Sequence, residues 1–379
     1  MRYNSLIFCA LCAVVLFSCG KIPKGIPASQ DPLVFNVAAD KLETKTVHTA
    51  MTGRYDENEK FVAYAAFAEN SFNVSDHNSY TYFWNNNSPT EICSHNSNYY
   101  AWAPAAPYYW PLIGTLTFQA YSPADLGANS APSFNWADWS EGFTFTNFQI
   151  PGVGDQYDLM YSERVENCRR SDYTRNAQAY DDDSDQTGGF AYNGINIAFK
   201  HALCLAEIQA VSSLGSNSSV KFRVKNVCLV NAYDTGTFTQ TGESWTIDTG
   251  HTANYNLLGT DVWKDPLPGA NDYETEFPVA PALILLPQEL GRPVGQEVSI
   301  SLTYEKYEGT TLLEGPTTVT WQLPLIYTEK DSGGTPVVTT GWQRERKYTY
   351  RFIFSDYIEF EARISPWQEA TRGHYVIVQ

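Results

Sequence analysis

Val298-Ser299-Ile300-Ser301-Leu302-Thr303-Tyr304 alternates apolar and polar side chains at every step. A strand turns successive side chains to opposite faces, so this spelling predicts a half-buried β-strand with Val298, Ile300, Leu302 and Tyr304 inward. Working outward, Tyr348, Tyr350, Phe352 and Phe354 repeat the period, as do Ile358, Phe360, Ala362 and Ile364. Weaker versions run through Leu33, Phe35, Val37 and Ala39, through Phe61, Ala63, Ala65 and Phe67, and through Leu116, Phe118 and Ala120. The 3.6-residue helical period is nearly absent. Short strands bounded by Gly, Pro and Asn clusters predict an all-β chain of sandwiches rather than α/β units. The composition agrees, since 15% of residues are aromatic and only 18% are charged, a mixture suited to pleated surfaces.

The start of the chain predicts its address. Met1 and Arg2 precede an apolar run from Leu6 to Phe17, and Leu16-Phe17-Ser18-Cys19 reads as a lipobox. The run falls short of the roughly 20 residues that a spanning helix needs. Residues 1–18 are therefore expected to be a lipoprotein signal peptide, with Cys19 the lipidated, palmitate-bearing first residue of an outer-membrane lipoprotein at the cell surface. Two or more acyl chains suffice for stable attachment, at about 0.8 kcal/mol per buried methylene. A formal charge of −17 repels phosphates, which argues against nucleic acid as a partner.

Removing residues 1–18 leaves roughly 360 residues, more than one core usually organises, so two domains are expected. The best internal boundary is Asp181-Asp182-Asp183-Ser184-Asp185, whose carboxylates repel and read as a solvated linker. This divides the chain into 19–186 and 187–379. An EF-hand reading of Asp181, Asp183 and Asp185 fails, because the required glycine falls on Gln186 and the bidentate glutamate on Tyr192. Cys93, Cys168, Cys204 and Cys228 form no CxxC pair, so no zinc site is expected; Cys204 and Cys228, on neighbouring strand candidates, are read as buried thiols in preference to a bridge. Ile195, Ile197, Phe199, His201, Leu203 and Leu205 are expected on one face of a single strand. His201 has no carboxylate nearby in that strand to orient it and is read as a hydrogen-bonded core residue.

No HExxH, GxSxG, GxxxxGK[ST] or GxGxxG motif occurs; Gly152-Val153-Gly154 supplies only two glycines before a polar loop. Neither catalysis nor a cofactor is expected. Binding of a glycan or host receptor is the rival to a structural role: Phe134, Trp136 and Trp139, and the run Tyr99, Tyr100, Trp102, Tyr108, Tyr109 and Trp110, are candidates to present flat apolar faces. Trp102 and Trp110 are the adhesive candidates within a proline-interrupted stretch. The opposing reading folds these aromatics back into the core.

An ordered series of segments resembles the fimbrillin family (Mfa-like), the subunits of type V pili of certain anaerobic Gram-negative bacteria. The series runs from the lipobox at Cys19 through Leu33-Val34-Phe35-Asn36-Val37, Phe61-Val62-Ala63-Tyr64-Ala65-Ala66-Phe67 and Leu116-Thr117-Phe118-Gln119-Ala120-Tyr121-Ser122-Pro123. It continues through Phe199-Lys200-His201-Ala202-Leu203, Leu285-Leu286-Pro287-Gln288, Lys347-Tyr348-Thr349-Tyr350, Ile358-Glu359-Phe360 and Pro366-Trp367. The resemblance implies two tandem β-sandwich domains of transthyretin-like, Greek-key type and a structural role in a surface fimbria. It also implies proteolysis-triggered strand exchange with other pilus subunits. The first strand, with Leu33, Phe35 and Val37, would plug a groove until removed, and a neighbour's carboxy-terminal strand would replace it. Tyr375, Val376, Ile377 and Val378 are the candidate donor, worth on the order of 6–12 kcal/mol if fully buried, before ordering costs. Family members usually carry an arginine after a threonine beyond the first strand; here Lys45 follows Thr44, and Arg54 is the nearest arginine, so both are processing candidates. The alternative is a monomeric surface lipoprotein adhesin.

Overall fold

The computed structural model describes residues 26–39, 55–84, 88–99, 101–173, 194–214, 218–258, 267–268, 282–324, 327–330, 336–355, 357–367 and 374–377. Among them strands dominate, and the only helical elements are 3₁₀ turns at His77–Ser79 and Arg170–Asp172. The all-β expectation therefore holds. Cys19, Lys45, Arg54, Tyr100, Val378 and the acidic run at 181–185 lie outside the described residues.

Where a sandwich was expected, the first half closes most of a nine-stranded sheet upon itself. The strand Thr115–Ser122 pairs with Met160–Ser162, which pairs with Ile195–His201. Next come Phe35–Ala39, Ala101–Pro104, Thr90–Asn96 and Lys60–Ala68, and Lys60–Ala68 returns to Thr115–Ser122 over a register running from Val62↔Tyr121 to Ala68↔Thr115. Closing a sheet removes its edges, which is why a ring is preferred to two short, exposed layers.

The ring explains the composition of its staves. Every residue of Thr115–Ser122, and every residue after Lys60 in Lys60–Ala68, is buried, so these strands are covered on both faces. Phe61, Ala63, Ala65, Phe67, Leu116, Phe118 and Ala120 fill the interior. Val62, Tyr64, Ala66 and Tyr121 point outward, into a second core. There they meet a four-stranded sheet of Ser133–Phe134, Phe143–Gln149, Thr235–Thr239 and Ser244–Ile247, with Tyr64 5.1 Å from Phe143 and Tyr121 5.7 Å from Phe145.

The second half layers two sheets. In one, Cys204–Ser212 runs parallel to Arg346–Phe354, followed by antiparallel Ile358–Pro366 and His374–Ile377. Facing it are Thr252–Asn256, Val220–Tyr233, Ser299–Glu308 and Thr311–Gln322. The predicted inward residues Ile300, Leu302, Tyr304, Tyr348, Tyr350, Phe352 and Phe354 are all buried, and the Tyr304 and Phe354 rings meet at 5.9 Å. The expected wet face of Arg346–Phe354 is not wet. Thr349 and Arg351 are buried as well, and Arg351 Nε donates to Gln209 Oε1 at 3.1 Å while Lys347 Nζ lies 3.0 Å from Glu207. Both faces of this strand are covered, so its polar residues must find partners inside the protein.

Two expectations about chain organisation need correcting. The boundary at 186/187 does not separate the sheets: Ile195–His201 lies beyond it yet is a stave of the ring, and the four-stranded sheet draws strands from both sides. His201 and Leu203 also do not share one strand. The chain leaves the ring after His201 and enters the next sheet at Cys204, because one element can pair in two sheets only by breaking between them. Phe118, which meets Phe35 at 5.3 Å and Trp84 at 6.2 Å inside the ring, is the test of this core. Phe118→Ala should cost about 3–5 kcal/mol in urea unfolding, whereas Leu312→Ser on the exposed hairpin should stay within about 0.5 kcal/mol.

Candidate functional site: the strand slot and the terminal strand

The leading segment is built into the ring, not laid upon it. Ala28–Pro32 pairs antiparallel with Tyr109–Pro111, and the chain then turns inward, with Leu33 N donating to Tyr108 O at 2.8 Å. Phe35–Ala39 follows as a stave between two neighbours. It runs parallel to Ile195–His201, from Phe35↔Ile195 to Ala39↔Phe199, and meets Ala101–Pro104 antiparallel through Phe35↔Trp102. Without it, the strands at Ile195 and Ala101 would face a gap.

The apolar residues of this segment are divided between two cores. Phe35 is fully buried and packs edge-on against Phe61 at 5.6 Å and Phe118 at 5.3 Å. Leu33 is also interior, whereas Val34 goes to the opposite face with Ala101 and Ala103. Val37 is half-buried against the interior. At ~1.5–3 kcal/mol for each fully buried side chain, Leu33, Val34 and Phe35 contribute on the order of 5–9 kcal/mol, an upper bound because unfolded chains are partly collapsed. Asn36 Nδ2 donates to Gly194 O at 3.3 Å. Gly194 is where the backbones come closest: a Cβ there would lie 2.8 Å from Asn36 N and 2.9 Å from the Phe35 carbonyl carbon. Only glycine fits without moving the stave.

After Ala39 the next described residue is Tyr55, and it is held firmly. Its ring stacks on Phe199 at 5.4 Å, meets Trp102 edge-on at 5.4 Å, and its hydroxyl is 2.8 Å from Ser122 Oγ. Burial pushes its phenol well above the ordinary range, so it stays neutral. The leading strand and Tyr55 are thus separate anchors on either side of 40–54, the span that contains Lys45 and Arg54.

The candidate donor lies elsewhere. His374–Ile377 pairs antiparallel with Ile358–Pro366, with Ala362↔Val376 and Arg363↔Tyr375, at the outer end of its sheet. Among the described residues it has one ladder neighbour, where the leading strand has two. On the strand it pairs with, Glu361 is half-buried, and desolvation raises its carboxyl above the usual range, with Glu359 adding to the rise and Arg351 opposing it.

The two adhesive candidates are not at the surface. Trp102 and Trp110 are 5% and 2% exposed, which overturns their reading as adhesive faces. Trp102 packs between Tyr55 and His95, and Trp110 stacks on Tyr173 at 5.1 Å with planes 12° apart. Trp139 is buried too, 4.9 Å from a half-buried Trp136. Large aromatics are worth most when buried, and the ring offers them an interior. Cys93, Cys168, Cys204 and Cys228 are free; burial raises each thiol, most strongly in Cys93 and Cys204, which keeps them protonated and unreactive.

His201 is a buried, hydrogen-bonded residue, but the view that no carboxylate orients it is corrected. Its Nδ1 donates to Asp158 Oδ2 at 2.6 Å, and its ring stacks on Trp367 at 4.3 Å. Asp158 precedes the Met160–Ser162 strand and reaches His201 only through the pairing of that strand with Ile195–His201, a contact no local spacing announces. Together these residues tie the ring to the segment just ahead of the terminal strand.

No protein-family model matches the chain, and no curated protein matches it. Solved structures similar to it include a fimbrial protein from Bacteroides vulgatus, at 14% identity and a TM-score of 0.48, covering 89% of this chain and 99% of that one. The tip fimbrial protein Mfa3 from Porphyromonas gingivalis, solved with a C-terminal truncation, is similar at 12% identity and a TM-score of 0.39, covering 89% and 99%. A protein from Bacteroides uniformis described as a cell adhesion protein is similar at 14% identity and a TM-score of 0.47, with the same coverage. At TM-scores below 0.5 the likeness is coarse, and the role of this chain has to be read from its own strands.

Two substitutions probe the slot and the terminal strand. Gly194→Val should speed tryptic release of the leading segment about tenfold, equivalent to ~1.4 kcal/mol of lost docking, whereas Gly152→Ala, with open space around it, should not. Glu361 binds its proton more tightly in the folded state than in the unfolded state, so its contribution improves as pH falls through the raised value and worsens above it. Glu361→Gln should therefore raise the melting temperature by ~2 °C at pH 7.5 and leave it unchanged at pH 4, by differential scanning fluorimetry.

Proposed function

We propose that this chain is a structural or accessory subunit of a cell-surface filament of the fimbrillin kind, assembled by exchange of its leading strand. In this reading it travels as a lipoprotein attached to the outer membrane through Cys19, and cleavage after Lys45 or Arg54 frees residues ahead of the cut together with the lipid. One observation carries the reading: Phe35–Ala39 closes the ring between two partners, while the next described residue, Tyr55, has its own contacts to the strands of the ring through Phe199, Trp102 and Ser122.

Removing the stave would expose two strand edges and the apolar seats of Leu33 and Phe35. An extended segment from a neighbour satisfies both needs at once, through main-chain hydrogen bonds and alternate side chains in the vacated seats. The terminal strand is suited to supply it. At home, among the described residues, it is an edge strand with one ladder partner; in a neighbour's slot it would have two, so the exchange favours transfer. The giver and receiver surfaces differ, so the contact is head-to-tail and propagates as a fibre. The two lobes of this subunit are best divided between His201 and Cys204, with the first keeping Ile195–His201 as a stave and the shared four-stranded sheet joining it to the second.

The test compares the chain from residue 19, the chain from Tyr55, and the chain from Tyr55 ending at Trp367. The first should remain monomeric, the second should form a denaturant-resistant ladder on gels, and the third should not. Monomers in all three would sink the exchange reading.

A further inference from the structure

The turn Leu112-Ile113-Gly114 joins Tyr109–Pro111 to Thr115–Ser122 and puts two large aliphatic side chains in water, Leu112 at 53% exposure and Ile113 at 57%. The chain on either side is fixed. Pro111 and Thr115 are buried, and Gly114, at φ +79°, lies so close to the end of Lys60–Ala68 that a Cβ would meet Ala68 O at 2.5 Å. Single exposed aliphatics are common on protein surfaces, but two adjacent ones held on a fixed turn form an apolar tip.

What faces this tip follows from where the chain enters the ring. Leu112 N donates to Pro27 O at 2.9 Å, and Ala28 pairs with Pro111, so the leading segment arrives beside the two side chains. Pro27 is eight residues beyond Cys19, a reach of at most about 29 Å. On the lipoprotein reading proposed above, on which this inference rests, the tip is therefore kept within one short tether of the bilayer. A tether this short holds the local lipid concentration high, so two side chains suffice where they would not bind vesicles unaided.

The tether also suits a membrane surface. Cys19-Gly20-Lys21-Ile22-Pro23-Lys24-Gly25-Ile26-Pro27 carries two lysines and no carboxylate in a chain of net charge −17, and Asp31, the first acid after it, is paired with Arg170 at 2.5 Å. Glu69 is exposed just past Ala68, so apolar side chains, not net charge, decide the contact.

The opposite end of the ring carries different features. Thr115–Ser122 leads away from the tip to Ser122, which pairs with Met160, the partner of His201. Ala39 pairs with Phe199 near that far end, and Tyr55 stacks on Phe199 and reaches Ser122. Both described residues that bound the span 40–54 therefore lie away from the tip.

We infer that Leu112 and Ile113 dip into the bilayer that holds the Cys19 anchor, to the boundary of headgroups and acyl chains, and that the uncleaved subunit stands on this turn. The consequence for processing is positional: Ala39 and Tyr55 face away from the membrane, on the side from which a soluble protease approaches.

The test supplies the tether artificially. The chain from Gly20, with a polyhistidine tag in place of Cys19 and Cys228→Ser to remove the half-buried thiol, is labelled with nitrobenzoxadiazole through Ile113→Cys and held on phosphatidylcholine vesicles by a nickel-chelating lipid. Dithionite, which does not cross bilayers, should bleach this label about tenfold more slowly than on the same chain free in solution, as for a tip inserted about nine-tenths of the time. A label at Leu112→Cys should behave alike, one at Val294→Cys, a position 97% exposed in the second half, should show no slowing, and Leu112→Ser added to Ile113→Cys should restore most of the bleaching rate. Equal bleaching of the Ile113→Cys label with and without vesicles, or equal slowing of the Val294→Cys label, would overturn the contact. Mass spectrometry of Cys19 from native membranes separates this outcome from the proposed function. An unacylated Cys19 sinks the anchor and the stance with it, whereas an acylated Cys19 with an unprotected tip sinks the stance alone.

Discussion

The first half of the molecule depends on one pairing, that of Phe35–Ala39 between Ile195–His201 and Ala101–Pro104. A sheet that closes has no edge, and this is the stave at which closure is completed by a segment from far away in sequence. Its hold combines main-chain hydrogen bonds, the burial of Leu33, Val34 and Phe35, and the close approach at Gly194.

The second half shows the opposite arrangement. Cys204–Ser212 and Arg346–Phe354 bury both faces in the interior of a mixed sheet, with internal partners for their polar residues, whereas His374–Ile377 sits at the rim of that sheet. The His201–Asp158 hydrogen bond and the stack on Trp367 mark the junction. A chain that passes from ring to layered sheet at this point needs a well-packed hinge, and a buried histidine is affordable there only because a carboxylate and an aromatic face receive it.

The period-two segments were readable because burial of one face leaves an alternating record: Ile300, Leu302 and Tyr304 and the aromatic row from Tyr348 to Phe354 are inward as spelled. The same record misleads for central strands. Thr349 and Arg351 look like a wet face yet are buried, since sequence cannot tell a polar residue that meets water from one that meets Gln209. Trp102 and Trp110 carried the same ambiguity; a proline-rich stretch suggests a surface loop, and the ring interior claimed both rings instead.

The residues by themselves determined that this protein is built of strands, that Leu33, Phe35 and Val37 lie along one extended segment, and that no familiar catalytic motif is present. These are local properties, written in alternation, turn residues and composition. Only the tertiary structure decided that the leading strand closes a ring, that the sheet changes between His201 and Cys204, and that Asp158 meets His201. Each of those depends on which strands become neighbours. That choice is set by the summed burial of many distant side chains, and no short stretch of sequence records it.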